Sequence, residues 1–234
     1  MTGKRFIVSF AILLLFIVLW FINNSRYLGF STLESLIYMN NSAFGYNSFK
    51  AYALFYIIPF LFFLNFFLPL EKPYTLVRLS RERHYFRVVG KVFLIAFMFS
   101  LSHMMINNLL TFLFIDVELL KEVRYFFISF VQMIGLVFYF SWIGIMYRIF
   151  YDFSNSFGLA IFATYLFVGI LYSFGLLLIP ENVWDPYKDL NIFQSLLENK
   201  KTITDVFLSY IRLFALSVIF YLIGSPLFFK KDIL

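Results

Sequence analysis

The sequence predicts an all-α integral membrane protein with six transmembrane helices and short interfacial or extracellular helices. Three observations predict it. Hydrophobic residues make up 62% of the 234 and charged residues only 14%, where a soluble domain carries about a quarter charged. Aromatic residues reach 24%, with 36 phenylalanines. Six uncharged stretches, near 6–22, 51–70, 92–115, 125–147, 157–179 and 213–229, meet the length of about 20 apolar residues that a bilayer-spanning helix needs. The chain reads as a single domain over 1–234. With no cysteine, a disulfide scaffold and thiolate chemistry are excluded.

The first stretch starts with Lys4 and Arg5 and is followed by Asn23-Asn24-Ser25-Arg26, without a small-x-small cleavage site, so it reads as a retained anchor. In the loop 23–50, Ser31 and Glu34 have capping-box spacing, and Leu33, Leu36 and Ile37 form an apolar stripe; a short interfacial helix is expected there, with an irregular loop the alternative. Pro59 predicts a kink in the second span. Residues 71–91 are the most charged loop. Pro73 can open a helix, and Leu76, Val77, Leu79, Tyr85 and Phe86 are interleaved with Arg78, Arg81, Arg83 and Arg87. Such a segment lies on a membrane surface or docks on a partner.

The third span carries Ser102, His103 and Asn107, and the fourth Gln132. Neutral polar groups at such depth glue helices together, and lining a translocation path is the second reading. The fifth span begins after Ser154-Asn155-Ser156, which suits a helix start. In the loop 180–205, Trp184 and Tyr187 are expected at headgroup level, and a helix capped by Asp189 should carry Leu190, Phe193, Leu196 and Leu197 on one face. Arg212, before the last span, is expected to snorkel outward.

Orientation follows from the loop charges. With the N-terminus inside, the inner segments hold eleven of the 19 Lys and Arg and four of the 13 acids, a balance of +7 against −1 outside. Both termini are therefore expected in the cytoplasm. The basic pI is topogenic in this reading, and no nucleic-acid partner is expected. A phosphate-binding loop, His-Glu-x-x-His and Gly-x-Ser-x-Gly are all absent, so no ATP hydrolysis or protease chemistry is expected on this chain.

Six spans, cytoplasmic ends, the run Pro73-Tyr74-Thr75-Leu76-Val77-Arg78-Leu79-Ser80-Arg81-Glu82-Arg83 and the ending Phe228-Phe229-Lys230-Lys231-Asp232-Ile233-Leu234 together resemble the ABC-2-type permease subunits of ABC transporters. In particular the chain resembles the small permeases that Gram-positive bacteria encode beside bacteriocins, peptide toxins or their immunity genes. The resemblance implies a multi-pass protein of the bacterial cell membrane that pairs with a second copy as a homodimer. It also implies a cytoplasmic ATP-binding subunit as partner, which would hold ATP and Mg, so that no cofactor is expected on this chain. The cargo would be an amphipathic or hydrophobic peptide. A coupling helix inserting into the ATPase would fall on Pro73, Leu76, Val77, Arg78, Leu79, Arg81, Glu82, Arg83, Tyr85 and Phe86. Ser102, His103, Asn107 and Gln132 are the path-lining candidates. Two other classes stay open: an intramembrane enzyme, and a scaffold or sensor whose basic loop binds anionic lipid.

The charge balance makes a direct prediction. With no native cysteine, a Ser80→Cys variant should resist a membrane-impermeant thiol reagent in intact cells and react once they are opened. Labelling from outside would reverse the orientation.

Overall fold

A computed structural model describes residues 2–41, 45–68, 81–177 and 184–230. The described residues are mostly helical and contain no strand. In chain order the helices are α1 (Thr2–Asn24), α2 (Leu33–Asn41), α3 (Ile57–Phe67), α4 (Arg81–Phe114), α5 (Val117–Glu122), α6 (Tyr125–Ser154), α7 (Phe157–Leu177), α8 (Ile192–Leu197) and α9 (Ile203–Lys230). A 3-10 turn at Ser25–Tyr27, a π-helical turn at Ala51–Phe55 and a 3-10 turn at Lys188–Leu190 connect them.

Among the described residues five helices, α1, α4, α6, α7 and α9, are long and apolar enough to cross a membrane. The stretch expected near 51–70 is not one straight span. It is the π-turn, a bend at Tyr56 and the 11-residue α3, and 11 residues rise only about 16 Å. The break sits where Pro59 lacks an N–H for the carbonyl of Phe55. α3 nevertheless runs far. Tyr56 packs on His103 of α4, Phe60 on Phe99, and Phe67 lies under the guanidinium of Arg5, so α3 is antiparallel to α1 and α4. Two spans begin about ten residues earlier than expected: α4 takes in the basic residues from Arg81, and α9 takes in Arg212.

α6 is the axis. It packs on α4 and α9 most extensively, and on α7, α8 and α3. Every residue from Tyr139 to Arg148 is buried, as expected of a helix surrounded by others. Two glycines permit the approach. A Cβ on Gly135 would meet Ile192 at 2.9 Å, and one on Gly144 would meet Val92 at 2.5 Å, with Leu64 and Phe60 just beyond. The surface is the reverse of a soluble protein's. Phe6, Phe153, Leu177 and Ile203 are each more than two-thirds exposed, while Asn24, Asn107, Gln132 and Asp189 are buried. An apolar shell around a polar interior suits a hydrocarbon surround.

Both outer helices differ from expectation. Thr32, not Ser31, caps α2, its hydroxyl accepting the N–H of Ser35 at 3.2 Å. Ser31 instead accepts the N–H of Asp116. Asp189 does not cap α8, whose start at Asn191 has no side-chain cap. Leu190, Phe193 and Leu197 are buried in the protein and do not lie on a membrane surface. Tyr187 is likewise buried, donating to the carbonyl of Val168 at 2.8 Å, and only Trp184 of that pair is partly exposed.

The α4–α6 contact sets a stability prediction. Gly144→Ala should lower the melting temperature in detergent, because Val92 is β-branched and cannot swing away; overpacking costs about 1–3 kcal/mol. Gly169→Ala, where a Cβ meets nothing within 4 Å, should be neutral or slightly stabilising. Equal melting temperatures for the two variants would contradict the packing.

Candidate functional site

Two irregular segments enter the bundle from the same end. The first is the turn 45–48 with the π-turn that follows. Tyr46, Asn47 and Ser48 are buried, and Tyr46 stacks on His103, eleven residues or roughly 16 Å inside the end of α4. Tyrosine hydroxyls meet carbonyls along this irregular stretch. Tyr56 donates to the carbonyl of Tyr46 at 3.0 Å, Tyr139 to that of Tyr52 at 3.4 Å, and Tyr46 to that of His103 at 3.3 Å.

Around this turn lies a side-chain network drawn from five elements. Trp20 of α1 donates to Asn107 of α4 at 3.1 Å. Asn107 donates to Asn40 of α2 at 3.2 Å and to the hydroxyl of Tyr125 of α6 at 2.8 Å. Asn47 donates to Asn40 at 2.7 Å, Tyr52 to Asn47 at 2.8 Å, and Tyr125 to Thr111 at 3.1 Å. Inside hydrocarbon such bonds are each worth about 0.6 kcal/mol, so the network holds helices in register more than it adds stability.

His103 is the exception within this cluster. Its ring lies 4.4 Å from that of Tyr46, stacked and nearly parallel, with Tyr56 at 4.6 Å, Phe16 at 5.2 Å and Tyr52 at 5.6 Å. Neither ring nitrogen has a hydrogen-bond partner. A cavity of about 230 Å³ adjoins the cluster, lined by Leu19 and Ile22 of α1 and by Gly45, Ser48, Phe55 and Tyr56.

The second irregular segment runs from Trp184 to Leu197. Gln132 of α6 holds it by donating to the carbonyl of Leu190 at 3.1 Å and accepting the N–H of Phe193 at 3.2 Å. Arg212 of α9 holds it more firmly. Its guanidinium donates to both carboxylate oxygens of Asp189, at 2.9 and 2.6 Å. Ser209 and Trp184 complete the carboxylate's shell at 2.7 and 2.6 Å. Arg212 therefore anchors the segment through Asp189 while its side chain stays 44% exposed, in keeping with an outward-reaching arginine. Burial also raises the carboxyl pKa of Asp185 and lowers that of the Lys201 ammonium.

At the opposite end, the start of α4 is locked to the ends of α6 and α9. Arg148 and Asp152, one turn apart on α6 and both buried, form a two-bond ion pair at 2.8 Å. The guanidinium also lies over Phe228 of α9. Tyr85 packs on Tyr221 and Phe228, and His84 stacks on Phe228. Gly224 leaves room for the Tyr85 hydroxyl.

These placements sort the predicted residues. Pro73, Leu76, Val77, Arg78 and Leu79 lie outside the described residues. Arg81, Glu82, Arg83 and Phe86 are exposed on the first turns of α4, whereas Tyr85 faces the interior. His103 and Asn107 belong to one cluster, whereas Gln132 bonds the second segment at Leu190 and Phe193. Ser102 points elsewhere, its hydroxyl bonded to the carbonyl of Met98 on its own helix. Sequence reasoning missed Asn40, Asn47, Tyr46 and Tyr52, which carry no local pattern. It also missed Arg148 with Asp152, whose i,i+4 spacing was a usable signal. Among the described residues no group of three or more His, Asp or Glu is placed to hold a metal. The arrangement is suited to holding helices in a defined relation and to exchanging hydrogen-bond partners. Comparison with protein-family models, with curated proteins and with solved structures finds no match to this chain.

The Asp189–Arg212 pair is asymmetric, and this makes a prediction. Asp189 is fully buried while the Arg212 side chain is 44% exposed. Arg212→Met should cost about 3–5 kcal/mol by stranding a buried carboxylate. Asp189→Asn should cost less, because the freed guanidinium reaches water. Denaturant unfolding, together with protease nicking near Lys200 and Lys201, checks the order. An Arg212→Met protein as stable as the parent would remove the pair's structural role.

Proposed function

We propose that the chain is the membrane subunit of an ABC-2-type transporter, exporting or giving immunity to an amphipathic peptide. In this reading the broken 51–70 segment is a sixth crossing, both termini are cytoplasmic, and a second copy completes the path. ATP hydrolysis resides on a separate cytoplasmic subunit, so this chain has no catalytic residues of its own. Its work is to turn closure of the ATPase into a rearrangement of the bundle.

The observation that supports this best is the continuity of α4. One uninterrupted helix of 34 residues runs from the exposed Arg81, Glu82 and Arg83 to His103, Asn107 and Thr111 in the polar cluster. Its first turns are packed on α6 and α9 through Tyr85 and Phe228. A partner pressing on the basic end would displace three helices together, and the polar cluster is where their relation is read by hydrogen bonds. The resemblance in layout is consistent with this reading but does not carry it alone.

The test is copurification. The tagged full chain, extracted from its native membranes, should bring down a protein that hydrolyses Mg-ATP. Leu79→Asp should abolish that association by removing an apolar anchor worth about 1.5–3 kcal/mol if fully buried in the partner. Arg81→Ala should weaken it only slightly, since an exposed pair is worth about 0–1 kcal/mol. Should Leu79→Asp and a combined Arg81→Glu, Arg83→Glu variant both retain the ATPase, the basic segment does not couple.

A further inference from the structure

The helix ends at the outer-network side leave a cleft that the transporter reading does not use. It has a volume of about 530 Å³ and lies where α2, the α5–α6 turn, α8 and the start of α9 meet. Its lining is mixed. Arg124 and Lys201 supply cations, Glu122 supplies one carboxylate, and Leu33, Phe127 and Ile203 supply apolar surface. We propose that this cleft binds the headgroup of an anionic phospholipid from the leaflet at that end of the bundle.

Height is the first argument. Arg124 immediately precedes α6, and Lys201 stands two residues before α9. Both cations therefore sit at the mouths of long apolar helices, where headgroups lie. α6 and α9 pack side by side, which brings the two cations to one cleft. Arg124 is exposed and has no ion-pair partner within 4 Å among the described residues. The Lys201 ammonium donates one bond, to the carbonyl of Lys188 at 3.1 Å, which leaves two N–H groups.

The second argument is the apolar rim. Phe127 is 51%, Ile203 71% and Leu33 43% exposed. They begin where the cations end, so a bound phosphodiester would place its acyl chains on them. A free phosphate would use the cations but leave this rim uncovered. The guanidinium fork matches phosphate oxygens in two-bond geometry. The lining has one more cation than anions, so a headgroup with a net negative charge is favoured over a zwitterionic one. Arg124 is also held in the left-handed backbone region (φ 53°), which is uncommon for a residue with a side chain. A hydrogen bond from its N–H to the carbonyl of Lys121 fixes that turn.

Native mass spectrometry of the full chain in detergent tests this, with phosphatidylglycerol, phosphatidylcholine and glycerol 3-phosphate as probes. The parent should retain phosphatidylglycerol in preference to phosphatidylcholine. Arg124→Gln and Lys201→Gln should each weaken retention roughly fivefold. Glu122→Gln should strengthen it, an outcome that a misfolded protein cannot mimic. Arg83→Gln with Arg87→Gln, at the opposite end, should leave this bound lipid in place. Equal retention of the two lipids, equal loss in the Arg83, Arg87 pair, or full competition by glycerol 3-phosphate would overturn the proposal. ATPase copurification is independent of these measurements, so the lipid site and the transporter reading fail separately.

Discussion

Irregular backbone below the ends of apolar helices has no water to bond, and its polar groups must find partners inside the protein. Most of this molecule's interior follows from that constraint. Two such segments enter at one end, and each recruits its own polar set. The 45–56 segment is met by tyrosine hydroxyls and by the Asn40, Asn47 and Asn107 amides. The 184–197 segment is met by Gln132 and by the Asp189–Arg212 pair. Tyr139 of α6 touches both, bonding the Tyr52 carbonyl and packing on the ring of Tyr187. α6 is buried so completely because it carries partners for two wedges as well as for four neighbouring helices.

The two ends of the bundle are built on different principles. One combines neutral hydrogen bonds spread over α1, α2, α4 and α6, individually weak and exchangeable for others, with the Asp189–Arg212 pair that ties α9 to the 184–197 segment. The opposite end is keyed by aromatic contacts and one buried ion pair. Arg148 and Asp152 lie on the same helix, so their pair does not bind helices together directly. It neutralises two charges and presents a flat guanidinium to Phe228, and Phe228 in turn meets Tyr85 and His84 of α4. A helix as long as α4 connects the two regimes without a break. Under the transporter reading proposed above, a displacement at its aromatic end would be passed to amides that can re-pair.

Composition and hydrophobic run length were enough to read the all-helical class and the five long apolar helices. Boundaries were read less well, for a physical reason. α4 and α9 extend about ten residues past the uncharged window because helix propensity does not stop at a charge, whereas a hydropathy run does. Pro59 marked a break, but nothing near it showed that the chain would turn inward at Tyr46. Partners such as Trp20 with Asn107 are 87 residues apart and leave no periodic trace. The outward reach of Arg212 could be read but its partner could not, because a lone arginine near a span edge looks the same with or without a carboxylate folded back from the preceding loop. Of the expected site, His103, Asn107 and Gln132 could be picked out because polar groups at that depth are rare; their partners could not, since asparagines and tyrosines in a loop are ordinary.

The wedge closed by Arg212 also imposes an order on the molecule's construction. A ribosome makes Asp189 and Gln132 before it makes Arg212, and makes α6 before α9. Until α9 is in place, the segment carrying Asp189 has one of its two walls and no counter-charge, so its carboxylate stays hydrated. α9 in turn arrives with an arginine nine residues from its start, a group whose cost in hydrocarbon falls only when Asp189 is available to receive it. The second wedge is thus sealed last, by the final helix, after the network around Asn107 already has all its members. In order of synthesis, every member of the Asn107 network therefore precedes the arginine that latches the second segment.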